Sequence, residues 1–377
     1  MDESQGRPMA EPRPDHTGLR WVLAIMVAAA LTFTGIVVVL HGGADPGSAL
    51  VRASTRCSPP RLPGDVATSK VVEGSVSVGD VIRTYRLTLP PAYDGVSPVP
   101  MVILLHGTSG TVQSIEDYTA MVPAAGQRGY AVLTPQGLAP ADGSLPTHWT
   151  VPGFDAPGSP DDVAYVGGLV DTVTRAYCVD ASRVFATGIS GGAAFATVLA
   201  CKTDLLSGVA AVAGLNLVPP CQNAQPVSVL AIHGTDDSLV AYDGLEVPAT
   251  TPTPGDDGSI EQPTDPGAAP SAATGGGTPF YNGAIAADVA RWAAAFGCSG
   301  STPGQVSSDV ATETYTGCRQ NVTVALWTVQ GGGHTWPGAS TVPDGLGFQT
   351  ESITATEAIL DAFDSAPSSG TVIRPSV

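Results

Sequence analysis

Short apolar runs alternate with helical patterns along most of this chain, and that alternation restricts the folds it can adopt. The apolar runs predict strands at residues 101–105, 130–134, 183–187, 209–212, 227–232 and 322–329. The helical patterns predict helices at residues 114–128, 161–177, 191–202 and 284–296. From Gly79 an alternation that includes Val81, Tyr85 and Leu87 predicts an antiparallel strand ahead of this series. Strands that alternate with helices form a mostly parallel sheet with helices on both faces, so the predicted fold class is α/β.

A long apolar segment lies near the N-terminus. Trp21 to Leu40 is a run of 20 residues without a charged side chain. A helix of that length spans about 30 Å, the thickness of the hydrocarbon core of a bilayer. No amphipathic pattern marks it as a core helix, so we predict a transmembrane anchor. Gly42 to Ala44 place small residues where a signal peptidase reads, so a removed signal segment is the alternative.

Composition divides the rest of the chain. We predict a polar tail at 1–20, the anchor or signal segment at 21–41, a stalk at 42–70, an α/β domain at 71–364 and a second polar tail at 365–377. Residues 248–279 interrupt the domain, because they are rich in Pro, Thr, Gly, Ala and Asp and show no periodicity. We interpret them as an exposed low-complexity insertion, and an inert linker is preferred over a functional lid.

All six cysteines follow the apolar segment, at Cys57, Cys178, Cys201, Cys221, Cys298 and Cys318. An even number beyond such a segment is typical of an oxidising compartment and predicts three disulfides. Counting does not fix the pairing, but neighbours in the sequence suggest Cys201 with Cys221 and Cys298 with Cys318. Cys57 would then reach Cys178. No spacing typical of zinc ligands occurs, so no metal is expected.

The charge balance bears on partners. The chain has 16 basic and 34 acidic side chains and a formal net charge of −18. Nucleic-acid binding needs clustered lysine and arginine, so that class of function is excluded. The membrane is expected as a partner only through the N-terminal segment, and the oligomeric state cannot be read from the sequence.

A glycine-flanked serine follows one predicted strand and opens the next helix. The run Gly188-Ile189-Ser190-Gly191-Gly192 places Ser190 at a sharp strand-to-helix turn. Such a turn needs glycines because neighbouring strands leave little room for Cβ atoms. The hydroxyl then projects at the carboxyl edge of the sheet, above the positive end of the helix dipole. Ser190 is therefore the predicted nucleophile.

A serine hydroxyl needs a base to accept its proton, and His334 is the predicted base. Glycines precede it and Pro337 follows it, which is typical of a loop that presents one side chain. His106 and His233 lie at strand ends and are interpreted as turn-shaping and hydrogen-bonding residues. His106 is kept as a candidate substrate contact, as is Trp336, although a buried structural role is preferred for that tryptophan. The remaining histidines are poorly placed: His16, His41 and His148.

An acid should orient the base. In an α/β-hydrolase the chain order is Ser, then Asp or Glu, then His. The run Gly234-Thr235-Asp236-Asp237 follows a predicted strand between Ser190 and His334. We favour Asp237 as the acid and Asp236 as the turn former, with the opposite assignment left open.

Two donors should meet the oxygen of a tetrahedral intermediate. The backbone N–H of Gly191, directly after the nucleophile, is one candidate. Thr108 lies in a run of small residues after the first parallel strand, and its N–H is the other. The loop lacks the lysine that a phosphate-binding Walker motif requires.

These motifs together resemble a known family. They are Leu105-His106-Gly107, Tyr177-Cys178-Val179-Asp180, the run from Arg183 to Ser190, His233-Gly234-Thr235-Asp236-Asp237 and the run from Gly332 to Gly338. The chain from about Val81 to Phe363 is similar to the polyhydroxybutyrate depolymerase and feruloyl esterase family of α/β-hydrolases. The resemblance implies a triad of Ser190, Asp237 and His334 and supports the suggested disulfides. The insertion at 248–279 departs from the family pattern; it follows the acid loop directly, so a reshaped substrate entrance is the alternative to an inert linker.

The predicted function is an extracytoplasmic serine carboxylester hydrolase that needs no cofactor. Polyhydroxyalkanoate-type, feruloyl, acetyl and simple esters all remain candidate substrates. An acyltransferase or a peptidase is the alternative within enzymes, because the same three residues serve both. A catalytically silent envelope protein that uses the scaffold for binding is the alternative from another class.

Overall fold

The computed structural model describes residues 70–139, 146–152, 159–221, 224–245 and 281–369. The chain divides into two units, Met1–Ala53 and Ser54–Val377, and the described residues all belong to the second. The predicted anchor or signal segment, nearly all of the stalk, the insertion at 248–279 and the end of the C-terminal tail lie outside the described residues. Within the described ranges, every helix is too short or too polar to cross a bilayer.

Strands in the described part of the chain form a single 10-stranded sheet in the order β1-β2-β4-β3-β5-β6-β7-β10-β9-β8. Their bounds are β1 (Val71–Val78), β2 (Val81–Thr88), β3 (Val99–Leu105), β4 (Ala131–Pro135), β5 (Val179–Ile189), β6 (Gly208–Val212), β7 (Ser228–Gly234), β8 (Gly300–Ser307), β9 (Val310–Thr316) and β10 (Val324–Val329). The run from β4 to β10 in this order is parallel throughout. Antiparallel strands complete both edges, which confirms the predicted mostly parallel sheet.

Helices cover both faces of the sheet, as the alternating pattern predicts. They are α1 (Val112–Thr119), α2 (Met121–Gln127), α3 (Asp162–Ala176), α4 (Gly191–Lys202), α5 (Ile285–Ala295) and α6 (Ala355–Ser365). One apolar core contains buried residues of α3, α4 and α5, and the other contains those of α1, α2 and α6. Successive side chains of a strand point to opposite faces, so Ile103 of β3 joins the first core and Val102 the second.

The single helix predicted at 114–128 is wrong, because two helices occupy this stretch. Ala120 ends α1 and precedes α2 with a left-handed φ of 50°. Pro123 explains the break, since it has no N–H to donate to the carbonyl of Thr119 in a continuous helix. The sequence also left β1, β8 and β9 unpredicted. Every residue of β8 except the last is exposed, so this edge strand carries no apolar run to mark it.

Two of the three suggested disulfides are confirmed. Cys201 is bonded to Cys221 and Cys298 to Cys318, each pair separated by 20 residues. In the third suggested pair, Cys57 with Cys178, Cys57 lies outside the described residues. No group of His, Cys, Asp and Glu side chains within the described ranges is arranged to hold a metal ion.

Removal of the Cys298–Cys318 disulfide should lower the free energy of unfolding. A cross-link across a loop of this length stabilises by about 2 to 4 kcal/mol, mainly because it restricts the unfolded chain. The double variant Cys298→Ser, Cys318→Ser should therefore unfold at a lower urea concentration than the wild type. Reductant should lower the midpoint of the wild type at least as far, because it breaks the Cys201–Cys221 bond as well. An identical midpoint for all samples would contradict the expectation.

Candidate active site

Ser190 occupies a strained turn between β5 and α4. It is the residue before the first residue of α4, and its backbone angles are φ 57° and ψ −126°. Backbone bonds fix this conformation, because the Ser190 N–H donates to Val212 O and its own carbonyl accepts from Ala194 N, both at 3.0 Å. A non-glycine residue rarely adopts such angles, and strain of this kind is concentrated at functional sites. The Ser190 side chain is half-buried.

The glycines that flank the serine are required by close backbone contact. A Cβ atom at Gly188 would lie 2.5 Å from the carbonyl oxygen of Leu105, and one at Gly192 would lie 2.3 Å from the same oxygen. Both distances are far below van der Waals contact. The Gly-x-Ser-x-Gly pattern is therefore the local solution for packing this turn against the end of β3.

Asp237 is buried in the loop after β7 with its carboxylate fully engaged. One oxygen, Oδ1, accepts hydrogen bonds from the N–H groups of Leu239 at 2.9 Å and Val240 at 2.8 Å. The other, Oδ2, lies 2.8 Å from Nδ1 of His334. Asp236 is exposed and its N–H donates to the Gly332 carbonyl. The structure thus brings Asp237, and not Asp236, to the histidine.

Opposing effects act on the pKa of Asp237. Burial raises it, since a charged carboxylate is poorly solvated there, but hydrogen bonds from His233 and His334 and the attraction of His334 outweigh the burial. The net result is a pKa well below the usual range of an aspartate. Asp237 is therefore an ionised acceptor at neutral pH.

His334 is held in one orientation by the loop after β10. The backbone N–H of His334 donates to the Leu346 carbonyl at 2.7 Å, and the imidazole ring is buried. Because an ionised carboxylate can only accept, Nδ1 carries the proton in the bond to Asp237, and Nε2 keeps a free lone pair. No hydrogen bond joins the Ser190 hydroxyl to His334 within the described residues. Such contacts commonly tighten only when substrate binds.

The three side chains lie along the same edge of the sheet. β5, β6, β7 and β10 are successive neighbours in the parallel sheet. Ser190 follows β5, Asp237 follows β7 and His334 follows β10. Carboxyl ends of parallel strands meet at one edge, where open α/β sheets bind their ligands.

Thr108 and Gly191 face one another beside the serine. A Cβ atom at Gly191 would lie 2.9 Å from Oγ1 of Thr108 and 3.6 Å from its backbone nitrogen. Ser109 takes a left-handed φ of 67°, and its N–H donates to Thr147 O. Neither the Thr108 N–H nor the Gly191 N–H has a protein acceptor in the part of the chain that the structure describes. Two unused donors, of which Gly191 is at the N-terminus of α4, suit a developing oxyanion.

The two candidate substrate contacts, His106 and Trp336, are fully buried. Nδ1 of His106 donates to Gly107 O at 2.8 Å, and Nε2 accepts from Gly137 N at 2.9 Å. Burial lowers the pKa of His106, which favours this neutral ring. The indole N–H of Trp336 donates to Thr356 Oγ1 at 3.0 Å. Both rings are therefore buried and hydrogen-bonded within the protein.

Sequence reasoning missed the contact between His233 and Asp237. The sequence predicts His233 only as a hydrogen-bonding residue at a strand end. Its Nε2 does lie 2.8 Å from Val240 O, but it is also 3.4 Å from Oδ2 of Asp237. The spacing of four residues across a tight turn was the signal for this proximity.

The fold and the residues at this edge define an α/β-hydrolase. The sequence profile of the family described as Esterase PHB depolymerase matches residues 83–240. A putative esterase, NocK, from Nocardia uniformis subsp. tsuyamanensis is 32% identical over 281 residues, which cover 73% of this chain and 76% of that protein. The chain therefore belongs to the PHB depolymerase esterase family, and it is a carboxylic ester hydrolase.

More distant similarities add a second named esterase and a solved structure with the same fold. Feruloyl esterase B from Piromyces equi is 25% identical over 258 residues, which cover 67% of this chain but only 42% of that longer protein. Among solved structures, an acetyl xylan esterase from Aspergillus awamori superposes with a TM-score of 0.51 and 13% identity. That superposition covers 78% of this chain and 99% of the other, and it shows a shared fold.

Proposed function

We propose that the chain is an extracytoplasmic serine esterase in which Ser190 is the nucleophile, His334 the general base and Asp237 the acid that orients the base. The 2.8 Å hydrogen bond between Asp237 and His334 carries this proposal, because it joins two loops at the sheet edge where the serine turn lies. A buried carboxylate bonded to one imidazole nitrogen leaves the other nitrogen free to accept a proton.

The first half of the reaction forms an acyl-enzyme. Ser190 Oγ attacks the ester carbonyl carbon while its proton passes to Nε2 of His334. The carbonyl oxygen becomes negative and accepts hydrogen bonds from the N–H groups of Thr108 and Gly191. The bond to the alcohol oxygen then breaks, and His334 returns the proton to that oxygen. Asp237 stays ionised throughout and stabilises the imidazolium.

The second half repeats these steps with water. Nε2 of His334 takes a proton from water, and the resulting hydroxide equivalent attacks the acyl carbon. The tetrahedral intermediate uses the same two N–H donors, and its collapse breaks the bond to Ser190 Oγ. His334 returns the proton to the serine, so a carboxylic acid leaves and the free enzyme is restored.

The disulfides support an oxidising, extracytoplasmic location. For the substrate, the names of two relatives point to esters in general and to feruloyl esters in particular. We therefore propose feruloyl, acetyl, hydroxyalkanoate and simple acyl esters as the set to compare.

A fluorophosphonate probe and an ester panel test this proposal on the full chain. The probe should label Ser190, as read by peptide mass spectrometry, and at least one ester in the panel should be hydrolysed. Labelling at a different serine would contradict the assignment of the nucleophile. With an added alcohol acceptor, a transferred ester as the main product would contradict hydrolysis, and a folded, unlabelled and inactive protein would favour a binding role.

A further inference from the structure

His233 contacts the proposed triad acid, although the mechanism does not use it. The residue is buried at the end of β7, four positions before Asp237. Its Nε2 lies 2.8 Å from Val240 O and 3.4 Å from Asp237 Oδ2. We propose that His233 is a positioning residue, whose single ring N–H is shared between these two acceptors and sets both the orientation and the basicity of the Asp237 carboxylate. The inference rests on the proposed function, because it concerns how Asp237 serves His334.

Each acceptor site of the Asp237 carboxylate can be matched to a donor. An ionised carboxylate has acceptor sites for about four hydrogen bonds. Leu239 N and Val240 N occupy Oδ1, whereas His334 Nδ1 and His233 Nε2 approach Oδ2. The two imidazoles therefore share one carboxylate oxygen. A hydrogen bond from one ring therefore weakens the attraction of Oδ2 for the other ring.

The protonation of the His233 ring follows from its neighbours. Val240 O and Asp237 Oδ2 are both acceptors, so the nitrogen between them carries a proton. The other nitrogen, Nδ1, is buried and has no hydrogen-bond partner among the described residues. A second proton there would be a buried donor without an acceptor, which is unfavourable. The ring is thus a neutral donor through Nε2.

Within the part of the chain that the structure describes, few charged groups face the contact between His233 and Asp237. His334 reaches Asp237 from the loop after β10, and the ring of Tyr242 meets the His233 ring edge-on with centroids 5.9 Å apart. The exposed Asp236 is the titratable neighbour on the acid loop itself. The ion pairs described for Asp237 involve histidines alone, with neither lysine nor arginine. The second imidazole is therefore the main modulator of the carboxylate besides the base.

Loss of the His233 N–H should shift the pH dependence of catalysis in a defined direction. Without His233 Nε2, the Asp237 carboxylate would concentrate its charge on the hydrogen bond to His334. The imidazolium form of His334 would be favoured, so a higher pH would be needed to obtain the unprotonated base. The acid limb of the pH profile of kcat/KM would move upward.

Two substitutions at one position separate positioning from packing. His233→Phe keeps a ring of similar size but removes the donor, whereas His233→Gln keeps an N–H at about the reach of Nε2. In the full chain we expect His233→Phe to lower kcat about tenfold with little change in KM. The acid limb of its kcat/KM profile should lie about half a pH unit higher than in the wild type. His233→Gln should keep the acid limb at the wild-type pH and retain most of kcat. Equal losses in both variants with an unmoved limb would overturn the proposal.

A measurement on the wild type covers the case in which His233→Phe fails to fold. ¹⁵N chemical shifts of histidine-labelled protein report which ring nitrogen carries the proton, and the His233→Gln spectrum identifies the His233 signals. We expect the ring proton on Nε2, between the two acceptors, and none on Nδ1. A ring that carries its proton on Nδ1 would overturn the proposal. Failure of the proposed function is distinct, since it would appear as a wild type that is neither labelled at Ser190 nor active.

Discussion

Ser190→Ala should lower kcat for ester hydrolysis by about 10⁵-fold or more while the protein stays folded. The alanine keeps the Cβ atom, so the packing of the turn between β5 and α4 is preserved. It removes the oxygen that would form the acyl-enzyme, and no bond to the substrate can then form at this position. Residual activity would reflect only binding and the N–H donors of Thr108 and Gly191.

The measurement for this variant combines steady-state kinetics with probe labelling and a thermal melt. Ser190→Ala should lose fluorophosphonate labelling and keep the wild-type melting temperature within a few degrees. Ser301→Ala, at an exposed position on the edge strand β8, is the matched control and should keep full activity and labelling. A Ser190→Ala enzyme that retains a tenth of the activity would exclude Ser190 as the nucleophile.

The parallel part of the fold, and the positions of the three candidate residues after its strands, could be predicted because their signals are local. Each parallel strand is a buried apolar run, and Ser190, Asp237 and His334 each stand in a short loop directly after such a run. Once the strands are known to be parallel, their carboxyl ends must share an edge. The placement of all three residues along that edge then follows from topology.

The parts that could not be predicted depend on contacts between distant residues or on edges without a hydrophobic signal. β1 alternates between exposed and half-buried positions, so it lacks the apolar run that marks a central strand. Arg83 falls within the alternation that begins at Gly79, and that pattern indicates a strand but no buried partner for the arginine. The structure buries its guanidinium against Asp162 at 2.6 Å and over the ring of Tyr165 at 4.1 Å. The shared N–H of His233 likewise depends on the orientation of a ring, which sequence spacing alone does not define.

Asp237→Asn should lower kcat by about 10³- to 10⁴-fold, the second-largest effect expected here. The wild-type carboxylate is ionised, because its pKa lies well below the usual range, and it accepts the proton on Nδ1 of His334. An asparagine can turn its NH₂ group toward Nδ1, which stabilises the tautomer with the proton on Nε2. His334 would then have no lone pair directed at the serine. The imidazolium formed during the reaction would also lose its counter-charge.

Asp236→Asn is the matched control, because it makes the same chemical change at the adjacent residue. Asp236 is exposed, and among the described residues its side chain accepts a hydrogen bond from Thr235 Oγ1 alone, at 3.2 Å. This variant should therefore stay within about twofold of the wild-type kcat. Kinetics of both variants, with circular dichroism to verify folding, decide between the two aspartates. Comparable losses in both would indicate that the loop as a whole, and not one carboxylate, orients the base. A large loss in Asp236→Asn alone would reverse the assignment of the acid, since the bond between Asp237 and His334 would then be dispensable for the reaction.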